Sequence, residues 1–125
     1  MAKLNEKILK EWENRQGPIV FTTVNEAGVP NSIYATCVNN YNDEFLVVAD
    51  NYFDKTKNNL MVNQEASILF YTKDDNAYQV KGTVEYLKSG VIFEDMKKWN
   101  PEKHPGNAAA ALKVREVYSG SEKVL

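Results

Sequence analysis

The chain has a single cysteine, Cys37, and a single histidine, His104, among its 125 residues. One cysteine excludes an internal disulfide and any cysteine-based metal cluster. No paired carboxylates, Ser-His-Asp order or Cys/His cluster supports hydrolysis or a metal site. Charge of either sign is never concentrated: 15 Lys and Arg against 17 Asp and Glu leave a formal charge of −2. No basic block matches a nucleic-acid backbone, and no acidic tail appears. No apolar run approaches membrane-spanning length, and Met-Ala-Lys opens without an apolar leader, so the expectation is a cytoplasmic protein without a membrane segment. No repeat, low-complexity segment or linker divides the sequence, which reads as one domain over residues 1–125. Seven Tyr, five Phe and two Trp are plentiful at this length and suit a cofactor pocket or an oligomer interface as well as a core.

Apolar periodicity supplies the elements. Leu4, Ile8, Leu9 and Trp12 form one stripe of an amphipathic first helix, closed by Gly17-Pro18. Ile19–Val24 is a β-branched strand, and Asn25-Glu-Ala-Gly28 a turn with Gly28 at the positive-φ position. Pro30 leads into a second strand, Ser32–Val38, and the polar turn Asn39–Asp43 into a third, Phe45–Ala49, so these three read as a meander. After a helix over Lys55–Val62 come the strand Ala66–Thr72, a hairpin turn, and the long strand Ala77–Leu87. Gly82 inside that strand predicts a bulge that curls the sheet. A second amphipathic helix runs from Val91 to about Trp99, the loop Asn100–Gly106 carries two prolines, and Ala108–Tyr118 is the last strand before a tail. Six antiparallel strands with three helices predict a mainly β fold, a small barrel with helices over its ends and seams.

One stretch points to chemistry. Asp54 is a candidate N-cap, and Lys55, Thr56 and Lys57 fill the first helical turn behind it. The positive end of a helix dipole disfavours cations unless an anion sits there. Free amides, a hydroxyl and two ammonium groups at one helix start describe a phosphate site, although an ordinary surface helix with solvated lysines has the same pattern. Cys37, in a predicted strand, reads first as a small buried hydrophobe, with a redox thiol beside a cofactor as the alternative, and His104 first as a surface loop residue, with a proton-transfer role as the alternative.

Taken together, Asn25-Glu-Ala-Gly-Val-Pro30, Val47-Val-Ala-Asp50, Lys55-Thr56 with Asn58-Asn59-Leu60, and Ala110-Ala-Leu-Lys-Val-Arg-Glu-Val-Tyr118 resemble the flavin-binding split-barrel proteins related to pyridoxamine 5′-phosphate oxidase. The small FMN-binding type is similar in size. The resemblance covers Leu9 to Tyr118 and implies a six-stranded split barrel, a homodimer, and FMN in clefts between subunits. It implies the phosphate at Lys55 and Thr56 and the ring along Ile33, Tyr34, Ala35 and Thr36 and along Val48, Ala49 and Asp50. It further implies that Asn51 to Phe53 fold over the ribityl and ring region, and that Trp99, with Tyr118 behind it, comes from the second subunit. True pyridoxamine-phosphate oxidases carry an Arg-x-His pair after a C-terminal Trp; here Val114-Arg-Glu-Val-Tyr118 has no His after the Arg, which argues against the vitamin B6 oxidase reaction. The expected activity is electron or hydride transfer between a reduced nicotinamide or a redox protein and an acceptor the sequence does not name. The alternatives are a non-catalytic flavin carrier or sensor, a cofactor-free dimerisation barrel, and heme or a deazaflavin in place of FMN.

Overall fold

The computed structural model describes residues 2–125. The sequence folds into one curled antiparallel sheet with three helices against it. In chain order the elements are α1 (Glu6–Glu13), β1 (Ile19–Val24), β2 (Pro30–Ala35), β3 (Val38–Tyr41), β4 (Phe45–Asp50), α2 (Lys55–Val62), β5 (Glu65–Tyr71), β6 (Ala77–Leu87), α3 (Val91–Trp99), β7 (Ala108–Ser119) and β8 (Glu122–Lys123). Strands neighbour one another in the order β2-β1-β5-β6-β7-β4-β3, and β8 adds to β7. Among the described residues no helix is long and apolar enough to cross a membrane.

The split-barrel expectation holds, with eight strands in place of six. The expected second strand stops at Ala35, and the chain restarts at Val38 as a separate strand. What reads as a polar turn over Asn39–Asp43 is mostly β3, and the reversal is confined to Asn42 and Asp43, both at positive φ. Asn40 secures it by accepting from the Asp43 amide and donating to the Asp43 carboxylate, each at 3.0 Å. The meander is therefore wrong. β1 pairs with β2 and β3 with β4 as two separate hairpins, and β1 continues the sheet through β5. The expected tail also departs from expectation, since Glu122–Lys123 pair with Tyr118 and Ser119.

Alternation on β1, β5 and β6 sends Phe21, Ile68, Phe70, Val80 and Val84 inward, where β7 adds Leu112, Val114 and Val117. From α1, capped by the Asn5 side-chain Oδ1 accepting the Ile8 amide, Trp12 closes one end of this core. Its indole meets Phe70 edge-on at 5.2 Å. Strand β4 and the first five residues of β7, 108–112, are buried on both faces, which explains their continuous apolar runs. Their outer side chains Val47, Ala49, Ala109 and Ala111 are small, so Ile92 and Met96 of α3 pack closely on them. Gly82 behaves as expected. The β6–β7 register shifts between Lys81 and Gly82, and the chain bends there.

Candidate functional site

Between β4 and α2 lies a turn that the core holds in one shape. The buried Asp50 carboxylate accepts the Phe53 amide at 3.0 Å through Oδ1 and the Tyr86 hydroxyl through Oδ2. Burial and the adjacent carboxylate push the Tyr86 phenol well above its ordinary value of 10.0. A raised phenol pKa stabilises the fold below pH ~10, and that contribution is lost as pH rises past the unfolded value toward the folded one. Tyr86→Phe should therefore cost about 1–2 kcal/mol at neutral pH, by leaving a buried carboxylate oxygen without its donor. It should also flatten the alkaline decline in stability; denaturant midpoints measured from pH 7 to 11 test both effects.

Asn51 carries a second tie. Its side chain and that of Asn100 exchange amide hydrogen bonds at 2.9 and 3.0 Å, and Asn51 Oδ1 also accepts the Gly106 amide at 2.9 Å. These groups are buried, so the Asn100–Gly106 loop is fixed to the Asn51 turn at both of its ends. Lys97 of α3 grips the loop's far end through the Pro105 and Gly106 carbonyls, at 3.0 and 3.3 Å. Gly106 sits at φ +53°, where an added Cβ would lie 2.9 Å from that Lys97 ammonium nitrogen.

Along the free edge of β2 runs a groove made of three adjoining cavities. The first, about 300 Å³, is lined by Ile33–Cys37, Ala49, Asn51–Phe53 and His104. The second, about 260 Å³, shares Ile33, Tyr52 and Phe53 with it and adds Asn31, Ser32, Asp54, Lys55 and Thr56. The third, about 300 Å³, continues past Asn31 and Lys55 to Asn58, Asn59 and Pro30. The start of α2 thus forms one end of the groove. Among the described residues no acid stands in the first turn of α2 and the Asp54 side chain makes no capping bond, so the expected Asp54 cap is not formed. By contrast, α1 has both a side-chain cap and Glu6. Helix α2 is anchored instead by Leu60 in the core and by the Asn59 amide on the Thr23 hydroxyl at 3.0 Å. Asn31 of β2 donates to the Thr56 hydroxyl at 3.3 Å.

A family model described as pyridoxamine 5′-phosphate oxidase matches residues 5–120. The chain belongs to this family. It is 32% identical over 126 residues to an uncharacterized protein of Methanocaldococcus jannaschii, a match covering 95% of this chain and 82% of the relative. Among solved structures, HupZ of Group A Streptococcus superposes with TM-score 0.80 at 20% identity, covering 93% of each chain. An FMN-binding protein from Syntrophomonas wolfei gives TM-score 0.74 at 19% identity, covering 93% of this chain and 98% of that one. The heme storage protein HutZ of Vibrio cholerae gives 0.66 at 14%, covering 94% and 95%. Likeness at these identities establishes the fold this family member shares with them.

Of the residues that the family resemblance singles out, Ile33, Tyr34, Ala35, Thr36, Ala49 and Phe53 line the first cavity, and Lys55 and Thr56 line the second. The structure brings these eight into one groove. Val48 does not join them. It points into the barrel core and is fully buried, because strand alternation turns it away from the face that Ala49 presents. The backbone of β4 has no free edge either, being paired with β3 and β7. Asp50 also stands outside the groove lining, with both carboxylate oxygens engaged by its own chain. Trp99 packs with the α3 cluster on the outer faces of β4 and β7, its indole N–H donating to Asp95 at 3.3 Å, and it does not line the groove of its own chain. Arg115 is likewise remote from the groove; it pairs with Glu65 at 2.7 Å across β5 and β7.

Two lining residues depart from their sequence reading. Cys37 is half-buried, packed against the α3-side cluster and on the first cavity's wall. His104 is carried to that same wall by the fixed loop, and its Nδ1 lies 3.1 Å from the Tyr52 hydroxyl. Nothing within the loop's own sequence signals this, since the partner that fixes it, Asn51, is 49 residues from Asn100.

Proposed function

We propose that the groove binds FMN, that the chain works as a homodimer, and that it transfers electrons or hydride between a reduced nicotinamide or redox protein and an acceptor. The observation that carries this reading is the order of chemistry along the groove. A cationic helix start without a side-chain cap at one end, Asn31 and Ser32 in the middle and a cavity walled largely by Ile33, Tyr34, Ala35, Ala49 and Phe53 at the other match phosphate, ribityl and ring in turn. Lys55 would hold the phosphate by a charge-assisted bond, and the first-turn amides and the Thr56 hydroxyl would complete its shell. The β2 backbone facing the groove has no neighbouring strand, so it is free to pair with the polar edge of a flat heterocycle. When bound, FMN supplies the one- and two-electron chemistry that the side chains lack.

Support for the dimer comes from the outer face of β2, β1 and β5. Tyr34, Val20 and Leu69 stand in one cross-strand row there, with Tyr71 two residues further along β5. Tyr34 is 78% exposed, Leu69 43% and Tyr71 42%, an apolar patch that adjoins the groove through Tyr34. Trp99 would reach the cofactor only from a second copy.

Purified protein should be yellow or turn yellow with added FMN, with the two-band flavin spectrum, and should sediment as a dimer at micromolar concentration. Bleaching by NADH or NADPH with turnover on an acceptor favours the enzyme over the carrier. A Soret band with no flavin affinity assigns the groove to heme instead, and a monomer that binds FMN tightly removes the shared-pocket arrangement.

A further inference from the structure

We propose that His104 contacts the flavin ring and that Tyr52 positions it, an inference that rests on the cofactor reading above. His104 is the only histidine in the chain, and an unusual amount of structure is committed to placing it. The reciprocal Asn51–Asn100 amide pair, the Gly106 amide on Asn51 and the Lys97 grip on two loop carbonyls fix the seven-residue span on which His104 rides. The loop's outer residues Glu102, Lys103 and Pro105 face solvent, whereas His104 turns half-buried to the first cavity.

Tyr52 then fixes the ring. Its hydroxyl meets His104 Nδ1 at 3.1 Å and the two rings stand edge to face at 5.5 Å and 86°. In the tautomer this proposal assigns, the Tyr52 phenol donates to Nδ1 and the imidazole's proton is on Nε2. Nε2–H is thus the donor left for an occupant of the cavity. The class of group it fits is an acceptor on the edge of a flat heterocycle, a ring nitrogen or carbonyl oxygen. Tyr52 itself is 72% exposed, so its aromatic face and its neighbour Phe53 supply the apolar wall beside that donor.

The location distinguishes this contact from the phosphate end, because His104 lines only the first of the three cavities. His104→Ala should therefore weaken FMN and riboflavin by the same factor, about five- to tenfold for one hydrogen bond. His104→Gln, which keeps a donor, should recover part of that loss. In the unaltered protein the lone histidine gives one set of ring-nitrogen NMR signals, and these should shift when either flavin is added. Tyr52→Phe should move the flavin-free signals from the Nε2–H tautomer toward a mixture, which a purely structural role for Tyr52 would not do. FMN that binds without moving the His104 signals overturns the proposal, as does an Ala variant that loses FMN but not riboflavin affinity. If neither flavin changes in fluorescence or absorbance with the unaltered protein, the cofactor reading fails and this proposal fails with it. Because flavin binding is read independently of the histidine signals, the two failures are distinguishable.

Discussion

Replacing Lys55 and Thr56 together by Ala is expected to weaken FMN by about 3 kcal/mol, roughly 150-fold, and to leave riboflavin affinity nearly unchanged. Lys55 is exposed at the groove's end, and Thr56 is buried with its hydroxyl in reach of Asn31. Each would make a hydrogen bond to a dianionic phosphate, and bonds to charged groups are worth about 1.5–3 kcal/mol apiece. Among the described residues the first turn of α2 has no carboxylate and the Asp54 side chain at its N-cap makes no capping bond, so the helix-start amides are free to take an anion. Riboflavin lacks the phosphate and serves as the internal control. Titration of both flavins by fluorescence quenching, with circular dichroism to confirm an unaltered fold, decides the matter. Equal losses for both would place the phosphate elsewhere, and an unchanged FMN affinity would remove the site.

A single methyl group at Gly82 should be as damaging to the fold as a large-to-small core truncation. A Cβ there would lie 2.0 Å from the Lys113 carbonyl oxygen and 2.9 Å from Leu112 Cδ2. The first of these is backbone, and it belongs to the strand against which the bulge is registered. Relief requires β6 to move away from β7, which breaks part of the longest strand pairing in the sheet. We expect Gly82→Ala to cost about 3 kcal/mol or more, at the upper end of overpacking effects. Denaturant unfolding would show a lowered midpoint. A variant within 0.5 kcal/mol of the parent, taken as roughly the scale of a neutral surface change, would mean that the bulge relaxes freely.

Both expected effects arise at features visible in the sequence. Gly82 in an otherwise β-prone run, the cationic helix start at Lys55 and the β-prone run Phe45–Ala49 are local signals, set by strand propensity and helix polarity. The elements they define are those observed, with Ala77–Leu87 matching to the residue. The order of the strands was not legible. A meander and two separate hairpins give the same alternation along the chain, and only the pairing of β1 with β5 and of β4 with β7 distinguishes them. The split of the expected second strand at Thr36–Cys37 was hidden for the same reason, since both residues are compatible with a strand.

For the site, the sequence alone determined which residue types could serve a phosphate, and the family resemblance supplied the residues expected beside a flat ring. Tertiary structure decided which of them share the groove. It put Val48 in the core by strand parity, engaged Asp50 with Phe53 and Tyr86, and packed Trp99 in the α3 cluster, away from the groove of its own chain. It brought in Cys37 and His104 by pairing Asn51 with Asn100. The physical reason is range. Propensity and dipole act over one turn or one strand, whereas a buried amide pair 49 residues apart is defined only once the sheet has closed.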